Sequence, residues 1–417
     1  MSVTSEKEEF VVVGAGIIGI CAAAYLAEAG HKVLVLDRTG ICEETSSGNA
    51  GAFAFSDILP MASKGVIGKV PGWLMDPLGP FTIRPSYFPK LVPWLYRFWR
   101  ASRSDMLEGT ARAQVAMMRL AEPEMLALMA RAGSSGMVRE DGSLELYESE
   151  KELKAGLPGW SVREQAGIEF RHLRGAELAD CQPGLSGRFV AGTFVPGWKT
   201  VSDPKLVGKA IWAYAESKGA RFRQATVTGI AHSNDGATLR FGDGGSIAGR
   251  KIILAAGAWS HRLARQLGDI IPLETERGYN TTLPVGAIDL KRQLIFSGHG
   301  FVVTPMETGV RVGGAVELGG LELPPNYARS EAMLKKAKLF LPDLDTSGER
   351  QWMGYRPSLP DSLPVIGHAK SGPNIVYAFG HGHLGLTQAA ATGRLVRNLA
   401  LGENSPLDLA PFSPQRF

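Results

Sequence analysis

The stretch from residue 10 to residue 38 limits the possible folds of this chain most strongly. It reads FVVVGAGIIGICAAAYLAEAGHKVLVLDR. The β-branched run at 11–13 ends in glycine, as expected of a strand buried on both faces of a parallel sheet. Small and apolar residues then continue as a helix that Gly30 is placed to end in a left-handed cap. Residues 33–36 form a second apolar strand, so the stretch predicts a β-α-β unit of an α/β domain.

The turn inside this unit has the spacing Gly-x-Gly-x-x-Gly. Gly14 allows the tight turn, Gly16 lets the backbone approach a pyrophosphate, and Gly19 lets the helix pack close to the strand. Asp37 ends the second strand, where a carboxylate accepts hydrogen bonds from an adenosine ribose. Because strand, helix and acid are all present, nucleotide binding is favoured over a plain structural turn. The unit alone leaves NAD and FAD both open.

Cysteine usage and charge narrow the class of protein. Cys21, Cys42 and Cys181 are scattered, which argues against a disulfide framework or a zinc site and fits a reducing compartment. A net charge of +4 on 417 residues, without a basic run, gives no support for a nucleic-acid partner. No apolar run reaches the roughly 20 residues that span a bilayer, and the polar amino terminus leaves no room for a signal peptide. We therefore expect a cytoplasmic protein of two domains, with no integral membrane segment and no metal.

Two stretches after residue 80 have less certain roles. Residues 87–103, YFPKLVPWLYRFWRASR, alternate aromatic and basic side chains, so a peripheral membrane helix is one interpretation. A core-packing or cap helix is the favoured one, because Pro89 and Pro93 should interrupt a long amphipathic face. Residues 106–132 show helical spacing of Met, Leu and Ala and predict a surface-packed helix pair.

The rest of the chain supplies further strands and a second glycine-rich turn. Residues 251–260, KIILAAGAWS, predict an apolar strand ending in small residues that let the backbone approach a cofactor. Val227 is expected at the centre of a strand beside the first sheet, and residues 272–325 read as antiparallel strands. A strand at 374–379 leads into a glycine- and histidine-rich turn and an Ala-rich helix. If a flavin lies there, the N–H groups of that helix start would stabilise the negative charge that grows on reduction.

Taken together, these blocks resemble the D-amino acid oxidase-like superfamily of FAD-dependent oxidoreductases. GAGIIG with Asp37, TSSGNAG, ILAAGAWS, GYRPSLPDSLPVIG and GHGHLGLTQA occur in that superfamily's order and span nearly the whole chain. The similarity is greatest to bacterial D-amino acid dehydrogenases and to glycine and sarcosine oxidases. It implies an α/β fold with a glutathione-reductase-type, Rossmann-like FAD-binding domain and a substrate domain with an antiparallel or mixed sheet. The expected segments alternate between FAD domain (1–85, 201–270 and 351–417) and substrate domain (86–200 and 271–350).

The resemblance also assigns a non-covalent FAD site, residue by residue. The glycine turn would hold the pyrophosphate, Asp37 the ribose, and the C-terminal glycine loop the isoalloxazine. The predicted cofactor-binding residues are Gly14, Gly16, Ile17, Ile18, Gly19, Asp37, Arg38, Ser46, Ser47, Gly48, Asn49, Ala50, Gly51, Val227, Ala256, Gly257, His381, Gly382, His383, Leu384, Gly385, Leu386 and Thr387.

For the substrate, Arg356 in GYRP falls where relatives that oxidise amino acids grip the carboxylate. A guanidinium binds a carboxylate bidentately and so fixes its position. Tyr279 and Tyr355 are candidate hydroxyl groups of the pocket, and His299 and His383 are candidate polar groups. His383 stands where related sequences often carry a small hydroxyl residue, which suggests an acidic or dicarboxylate substrate.

The reaction that the resemblance implies is oxidation of the C–N bond of a small amino acid. Hydride transfer to FAD gives an imine, which hydrolyses to an oxo acid and ammonia or an amine. A D-amino acid, sarcosine, hydroxyproline and iminodiacetate are candidate substrates, and oxygen, a quinone or an electron-transfer partner is the acceptor. The alternative is an FAD-bearing subunit of a heteromeric dehydrogenase. An NAD-dependent dehydrogenase is weaker, because it would leave GYRP and the C-terminal glycine loop without a role.

Overall fold

The computed structural model describes residues 7–61, 79 and 81–417. Residues 1–6, part of the polar amino terminus used to predict the absence of a signal peptide, lie outside this range. The α-helices of the described chain are α1 (Ile17–Glu28), α2 (Phe88–Ala101), α3 (Ser104–Arg131), α4 (Glu150–Gln165), α5 (Gly175–Cys181), α6 (Pro204–Ser217), α7 (Ser260–Gln266), α8 (Ala328–Phe340) and α9 (Gly385–Leu401).

Most of the described strands belong to two large sheets, and three short ones form a third. The strands are β1 (Glu8–Val13), β2 (Val33–Asp37), β3 (Ala52–Phe53), β4 (Phe81–Ile83), β5 (Val138–Arg139), β6 (Ser143–Tyr147), β7 (Arg171–Arg174), β8 (Ala191–Val195), β9 (Lys199–Val201), β10 (Arg221–Gln224), β11 (Val227–Ser233), β12 (Gly236–Phe241), β13 (Ser246–Leu254), β14 (Glu274–Leu283), β15 (Gln293–Phe296), β16 (Phe301–Met306), β17 (Gly309–Leu318), β18 (Arg350–Ser358), β19 (Val365–Ala369) and β20 (Gly372–Phe379).

The first sheet has a parallel core in the order β10-β2-β1-β13-β20. Its two faces bury alternate residues of each strand. Phe10 and Val12 pack against a helical layer that includes α1, α3, α6 and α9. Val11 and Val13 pack against the antiparallel strands β11, β12 and β19 and helix α7. A parallel sheet covered on both faces explains the uninterrupted apolar runs of its strands.

The second sheet is mixed and mainly antiparallel. Its main path runs β18-β14-β17-β16-β15-β6-β8-β7, with β4 paired to β17. The pairs β15–β6 and β17–β4 are parallel, and the other pairs are antiparallel. The α/β fold with a second, mixed sheet is therefore confirmed. We propose that each large sheet marks one of two domains. The boundaries then differ from the predicted ones, because β4 and β18 belong to the second sheet although the segments 1–85 and 351–417 were assigned to the FAD domain.

The predicted β-α-β unit is confirmed. β1, α1 and β2 follow one another as expected, and Gly30 has the left-handed φ of +90° that ends the helix. β1 lies between β2 and β13 with parallel pairing on both sides. The carboxyl ends of these strands therefore meet at one edge of the sheet, where ligands bind in folds of this type.

The prediction of a helix pair at 106–132 was wrong, and two helices continue through a proline. α3 is one helix of 28 residues that continues through Pro123, not a surface pair. Its Met117 and Met125 are fully buried against the helical layer, so packing on both sides of the proline outweighs the missing backbone donor. α2 likewise continues through Pro93 and keeps one buried face and one exposed aromatic face.

The strand expected around Val227 is two strands. β10 pairs with β2 beside the first sheet, as predicted, and ends at Gln224. Val227 instead begins β11, which pairs with β12, and a register shift follows between Val227 and Gly229. Val227 is thus the first residue of a strand, not its centre.

Among the described helices, none is both long and apolar enough to cross a bilayer.

Candidate functional site

A cavity of about 1320 Å³ lies at the carboxyl edge of the first sheet and extends over one face of the second. Gly14 and Asp37 line one end, and Arg356 lines the part beside the second sheet. Small-molecule pockets commonly measure about 300–1,000 Å³. This cavity is therefore large enough for a dinucleotide-sized ligand with a second, smaller molecule beside it.

The β1–α1 turn closes tightly on the end of β13. Gly14 has φ +111°, and a Cβ built on it would lie 2.3 Å from the Ala255 carbonyl oxygen. A Cβ on Gly19 would lie 1.9 Å from the Gly14 carbonyl oxygen, so helix and turn are in direct contact. No side chain of the N-cap residue caps α1. Ser46 Oγ, from the loop that follows β2, accepts from the Ile17 N–H at 3.0 Å. The other first-turn N–H groups that the helix leaves unpaired lie beside the cavity, as in dinucleotide sites.

Asp37 and Arg38 line the cavity beside this turn, each held by its own contacts. Asp37 Oδ2 accepts from the Ala15 N–H at 2.8 Å, and Oδ1 accepts from the Thr39 N–H at 2.9 Å. A carboxylate has further lone pairs for ligand hydroxyls. Arg38 forms a bidentate ion pair with Glu44 and lies 3.8 Å from the centre of the Trp259 ring. The arginine therefore forms a flat wall of the cavity.

Side chains of the second sheet hold the loop at 46–51. Arg311 Nη1 donates to the Asn49 carbonyl at 2.5 Å and to the Ser47 carbonyl at 3.1 Å, and Asn280 Nδ2 donates to the Gly48 carbonyl at 2.9 Å. Gln293 adds a longer bond of 3.3 Å to the Ala50 carbonyl. None of these three anchors was predicted from the sequence. No local pattern could have revealed them, because each binds a carbonyl more than 200 positions away along the chain.

The start of α9 forms a further part of the cavity wall. Its N-cap residue makes no side-chain cap, and His381 and Gly382, in the turn before the helix, line the cavity. His381 Nε2 lies 2.9 Å from Thr392 Oγ1. Burial lowers the pKa of His381 to about 3, so the ring is neutral at physiological pH. The helix dipole and free N–H groups, not a histidine cation, therefore provide the positive potential here.

Most of the predicted cofactor residues line this cavity. They are Gly14, Gly16, Ile17, Ile18, Asp37, Arg38, Ser46, Gly48, Asn49, Ala50, Val227, Ala256, Gly257, His381, Gly382, His383, Gly385 and Leu386. The others lie behind its surface and are Gly19, Ser47, Gly51, Leu384 and Thr387. Among these, Thr387 Oγ1 accepts from the Ala54 N–H at 3.0 Å and so ties α9 to the chain after the loop.

Arg356 lies flat on the second sheet with its guanidinium at the cavity. Its Nη1 donates to the Ala315 carbonyl at 3.0 Å, and it has no ion-pair partner among the described residues. A Cβ on Gly278, in the neighbouring strand β14, would lie 2.5 Å from Arg356 Cζ. Glycine at 278 therefore leaves the space in which the side chain lies. Burial lowers the pKa of Arg356, although the group stays charged.

Trp352 is a cavity residue that the sequence analysis missed. It precedes Arg356 on the same face of β18, and a Cβ on Gly354 would lie 1.9 Å from its ring. A Cβ on Gly48 would approach the ring to 2.3 Å from the loop side. Two glycines thus create a slot for a flat indole. The alternation Trp-x-Gly-x-Arg in a strand was the available signal.

The other predicted substrate residues differ in placement. Tyr355 and His383 line the cavity, and His383 Nε2 lies 3.1 Å from Asp57 Oδ2. Tyr279 lines it too, but its hydroxyl donates to Glu317 at 2.9 Å within the sheet. His299 is not among the lining residues. Its Nε2 contacts Glu148 at 2.8 Å, and its ring packs against Phe340.

The chemistry of these residues fits FAD. The turn has no room for a Cβ at Gly14, the N-cap residues of α1 and α9 do not use their side chains to cap the helix, and an acid ends β2. Residues of this turn, Asp37 and the loop at 46–51 would hold the dinucleotide, and the start of α9 would face its electron-accepting ring. Bound FAD supplies the two-electron acceptor of the reaction. Among the described residues, no group of three or more His, Cys, Asp or Glu is arranged to hold a metal ion.

This fold and this cavity define a dinucleotide-dependent oxidoreductase whose substrate chamber lies against a mixed sheet. The sequence profile of the FAD dependent oxidoreductase family, DAO, matches residues 9–399. The protein therefore belongs to this family and uses FAD.

Individual relatives agree with the family assignment over the whole length. The chain is 36% identical over 422 residues to a D-amino-acid oxidase of Bradyrhizobium diazoefficiens, covering 99% of each protein. It is 28% identical to a D-amino acid dehydrogenase of Neisseria meningitidis serogroup C, covering 98% of this chain and 99% of that protein. Among solved structures, glycine oxidase from Geobacillus kaustophilus superposes with a TM-score of 0.76 at 21% identity, covering 99% and 100% of the two chains. The predicted fold and enzyme class are confirmed.

Proposed function

We propose that this enzyme oxidises the C–N bond of a small amino acid, either a D-amino acid or a secondary amino acid such as sarcosine, hydroxyproline or iminodiacetate. The substrate would lose a hydride from its α-carbon to FAD and a proton from its nitrogen to solvent. The resulting imine would add water and release an oxo acid with ammonia or a smaller amine. The relatives named as D-amino acid oxidase and dehydrogenase support this reaction class.

The observation that carries the proposal is the guanidinium of Arg356. It lies at the cavity surface, donates to backbone carbonyl groups, and forms no close ion pair among the described residues. The buried Glu276 carboxylate on the neighbouring strand raises the pKa of Arg356, against the effect of burial, without making direct contact with it. The N–H groups of the guanidinium that face the cavity are therefore free for an anionic ligand. The α-carboxylate of an amino acid supplies a negative charge and matches the planar fork of the guanidinium. Arg356 would thereby fix the α-carbon for hydride transfer.

The test is anaerobic bleaching of the flavin. We expect the purified protein to be yellow with non-covalent FAD that acid precipitation releases. One or more of D-alanine, D-proline, sarcosine and iminodiacetate should then bleach the flavin absorption. A yellow protein that none of these compounds nor any other D-amino acid bleaches would contradict the amino-acid assignment.

The same experiment addresses the electron acceptor. Rapid recolouring when air is admitted is the result expected of an oxidase. Slow recolouring in air but fast recolouring with a soluble quinone is the result expected of a dehydrogenase. If the protein is bleached and recolours only when a co-purifying protein is present, it is the FAD-bearing subunit of a heteromeric dehydrogenase.

We further propose that α2 binds the surface of an anionic membrane and brings the enzyme to a quinone acceptor on the cytoplasmic side. Its outer face is unusually apolar for an exposed helix. Leu91 and Trp94 pack inward near Leu318, while four large side chains point outward with about half of their surface exposed: Phe88 (49%), Val92 (47%), Tyr96 (58%) and Trp99 (54%). The helix contains no acid, and its exposed cations are Lys90, Arg97 and Arg100. Aromatic and basic side chains on one short helix suit the interface of anionic lipids.

Vesicle co-sedimentation tests this surface. We expect binding to vesicles of phosphatidylcholine mixed with phosphatidylglycerol, weaker binding to phosphatidylcholine alone, and a loss of at least about tenfold in the Tyr96→Ser, Trp99→Ser double variant. The matched control is Ile270→Ser with Val285→Ser, which removes two apolar side chains elsewhere that are even more exposed. Equal binding of both double variants, or no binding of the wild type, would contradict the proposal.

A further inference from the structure

The cavity continues beyond Arg356 as an arm between the second sheet and α4. One wall is the face of β6 and β15 that carries Glu145 and Ile295, and the other is the α4 surface around Gly159 and Trp160. Leu144 and Leu146 of β6 point the other way, into the apolar core of the sheet. Because side chains alternate along a strand, the Glu145 side chain points to the opposite face, towards the cavity.

The cationic side chain in this arm, Arg163, already has partners within the protein. Arg163 Nη2 lies 3.8 Å from Asp57 Oδ1, and its Nε donates to the Ser56 carbonyl at 3.4 Å. Its guanidinium also lies 4.7 Å from the centre of the Trp160 ring. Asp57 in turn contacts His383 at 3.1 Å. These contacts balance the charge of Arg163 and leave it little capacity for an anionic ligand.

Glu145 has no such balance. Its Oε1 accepts from the Ser297 hydroxyl at 2.7 Å, and it forms no ion pair with any Lys, Arg or His in the part of the chain that the structure describes. Arg163 lies near two carboxylates, those of Asp57 and Glu145, so its single positive charge does not neutralise both. A partly buried carboxylate on a cavity wall, without an ion-pair partner of its own, is a site for a cationic ligand.

Resting on the proposed function, we infer that Glu145 binds the cationic side-chain group of the substrate, so that the enzyme prefers amino acids with a basic side chain such as D-lysine or D-ornithine. Arg356 would hold the α-carboxylate and Glu145 the ammonium at the far end. This inference differs from the expectation from sequence, in which His383 suggested an acidic or dicarboxylate substrate. The contact between His383 and Asp57 favours the basic one, because the imidazole already has an acidic partner.

The electrostatics of Glu145 agree with this assignment. Burial raises its pKa, while the Ser297 hydrogen bond and the Arg163 charge oppose the rise. A bound ammonium group would stabilise the carboxylate in the same way as a further positive neighbour. The charge of Glu145 and that of the substrate therefore support each other in the complex.

The experiment compares D-lysine with D-norleucine, which has the same carbon chain without the ammonium group, and with D-glutamate. For the FAD-loaded enzyme we expect kcat/KM to be at least about tenfold higher for D-lysine than for D-norleucine. In Glu145→Gln, kcat/KM for D-lysine should fall by about 100-fold, while that for D-norleucine stays within about threefold. Glu150→Gln is the matched control, because it removes an exposed carboxylate at the start of α4 that pairs with Arg174. It should leave the preference unchanged.

Failure of the inference differs from failure of the proposed function. Equal kcat/KM for D-lysine and D-norleucine in the wild type would overturn the role of Glu145 without any variant, as would an equal loss on both substrates in Glu145→Gln. A preference for D-glutamate would assign recognition to Arg163 or His383 instead. If no amino acid reduces the flavin, the proposed function itself fails.

Discussion

Replacing Arg356 by Gln is expected to raise the KM for every amino acid substrate by about 100-fold or more. The variant loses the paired, charge-assisted hydrogen bonds to the α-carboxylate, and hydrogen bonds to charged groups contribute about 1.5–3 kcal/mol each. Because the carboxylate also orients the α-carbon, kcat should fall as well. Steady-state kinetics and the rate of anaerobic flavin bleaching measure both effects, and the flavin absorption of the resting enzyme should be retained.

Three further variants separate charge from geometry. Arg356→Lys keeps the charge but loses the planar fork, so we expect a KM between those of the wild type and Arg356→Gln. Gly278→Ala keeps the charge of Arg356 but adds a methyl group 2.5 Å from its Cζ, which must displace the guanidinium. We therefore expect KM to rise although no charge is lost. Arg350→Gln, at the exposed end of the same strand, is the control. A wild-type KM in Arg356→Gln would contradict the proposal that Arg356 binds the substrate carboxylate.

Gly14→Ala is expected to abolish FAD binding. The new Cβ would lie 2.3 Å from the Ala255 carbonyl oxygen, and alanine strongly disfavours φ +111°. Relieving this contact separates the β1–α1 turn from the end of β13, where the dinucleotide would bind. Backbone strain of this kind costs about 1–3 kcal/mol by itself. We expect a colourless protein with a lowered Tm that added FAD does not restore.

Gly30→Ala is the matched control for this prediction. Gly30 also has a positive φ, +90°, but no atom lies within 4 Å of a Cβ built on it. Its replacement should cost about 1–2 kcal/mol of stability from the left-handed backbone alone and leave the flavin content unchanged. Stoichiometric FAD in Gly14→Ala would show that the turn tolerates a side chain and does not hold the pyrophosphate.

Features with a local signal were the ones that could be predicted from the sequence. The β-α-β unit and the strand before the second glycine turn were predicted correctly, because apolar runs and glycines act within a few residues of themselves. Arg356 was singled out through the family resemblance of GYRP; it lies at the cavity, and its role in substrate binding stays a prediction. By contrast, continuous helices through Pro93 and Pro123 depend on what packs against them, which residue spacing does not reveal.

The missed residues of the site share a different cause. Trp352 lines the cavity because Gly48 and Gly354, far apart in sequence, both leave room for its ring. Glu145 reads as an ordinary polar position in an alternating strand, and only the placement of α4 and Asp57 around it puts its carboxylate on a cavity wall among other charged groups. Such contacts are properties of the tertiary structure, which local sequence patterns do not reveal.

The anchoring of the 46–51 loop links cofactor occupancy to the assembly of the whole molecule. The loop belongs to the first sheet by connection, yet its carbonyl groups are held by Arg311, Asn280 and Gln293 of the second sheet. A ligand that binds only when the loop is in place also binds only when the two sheets are docked. Its binding free energy therefore adds to the stability of that docking, in proportion to the logarithm of its concentration above Kd. If FAD binds this loop as proposed, loss of the flavin should also weaken the docking of the two sheets.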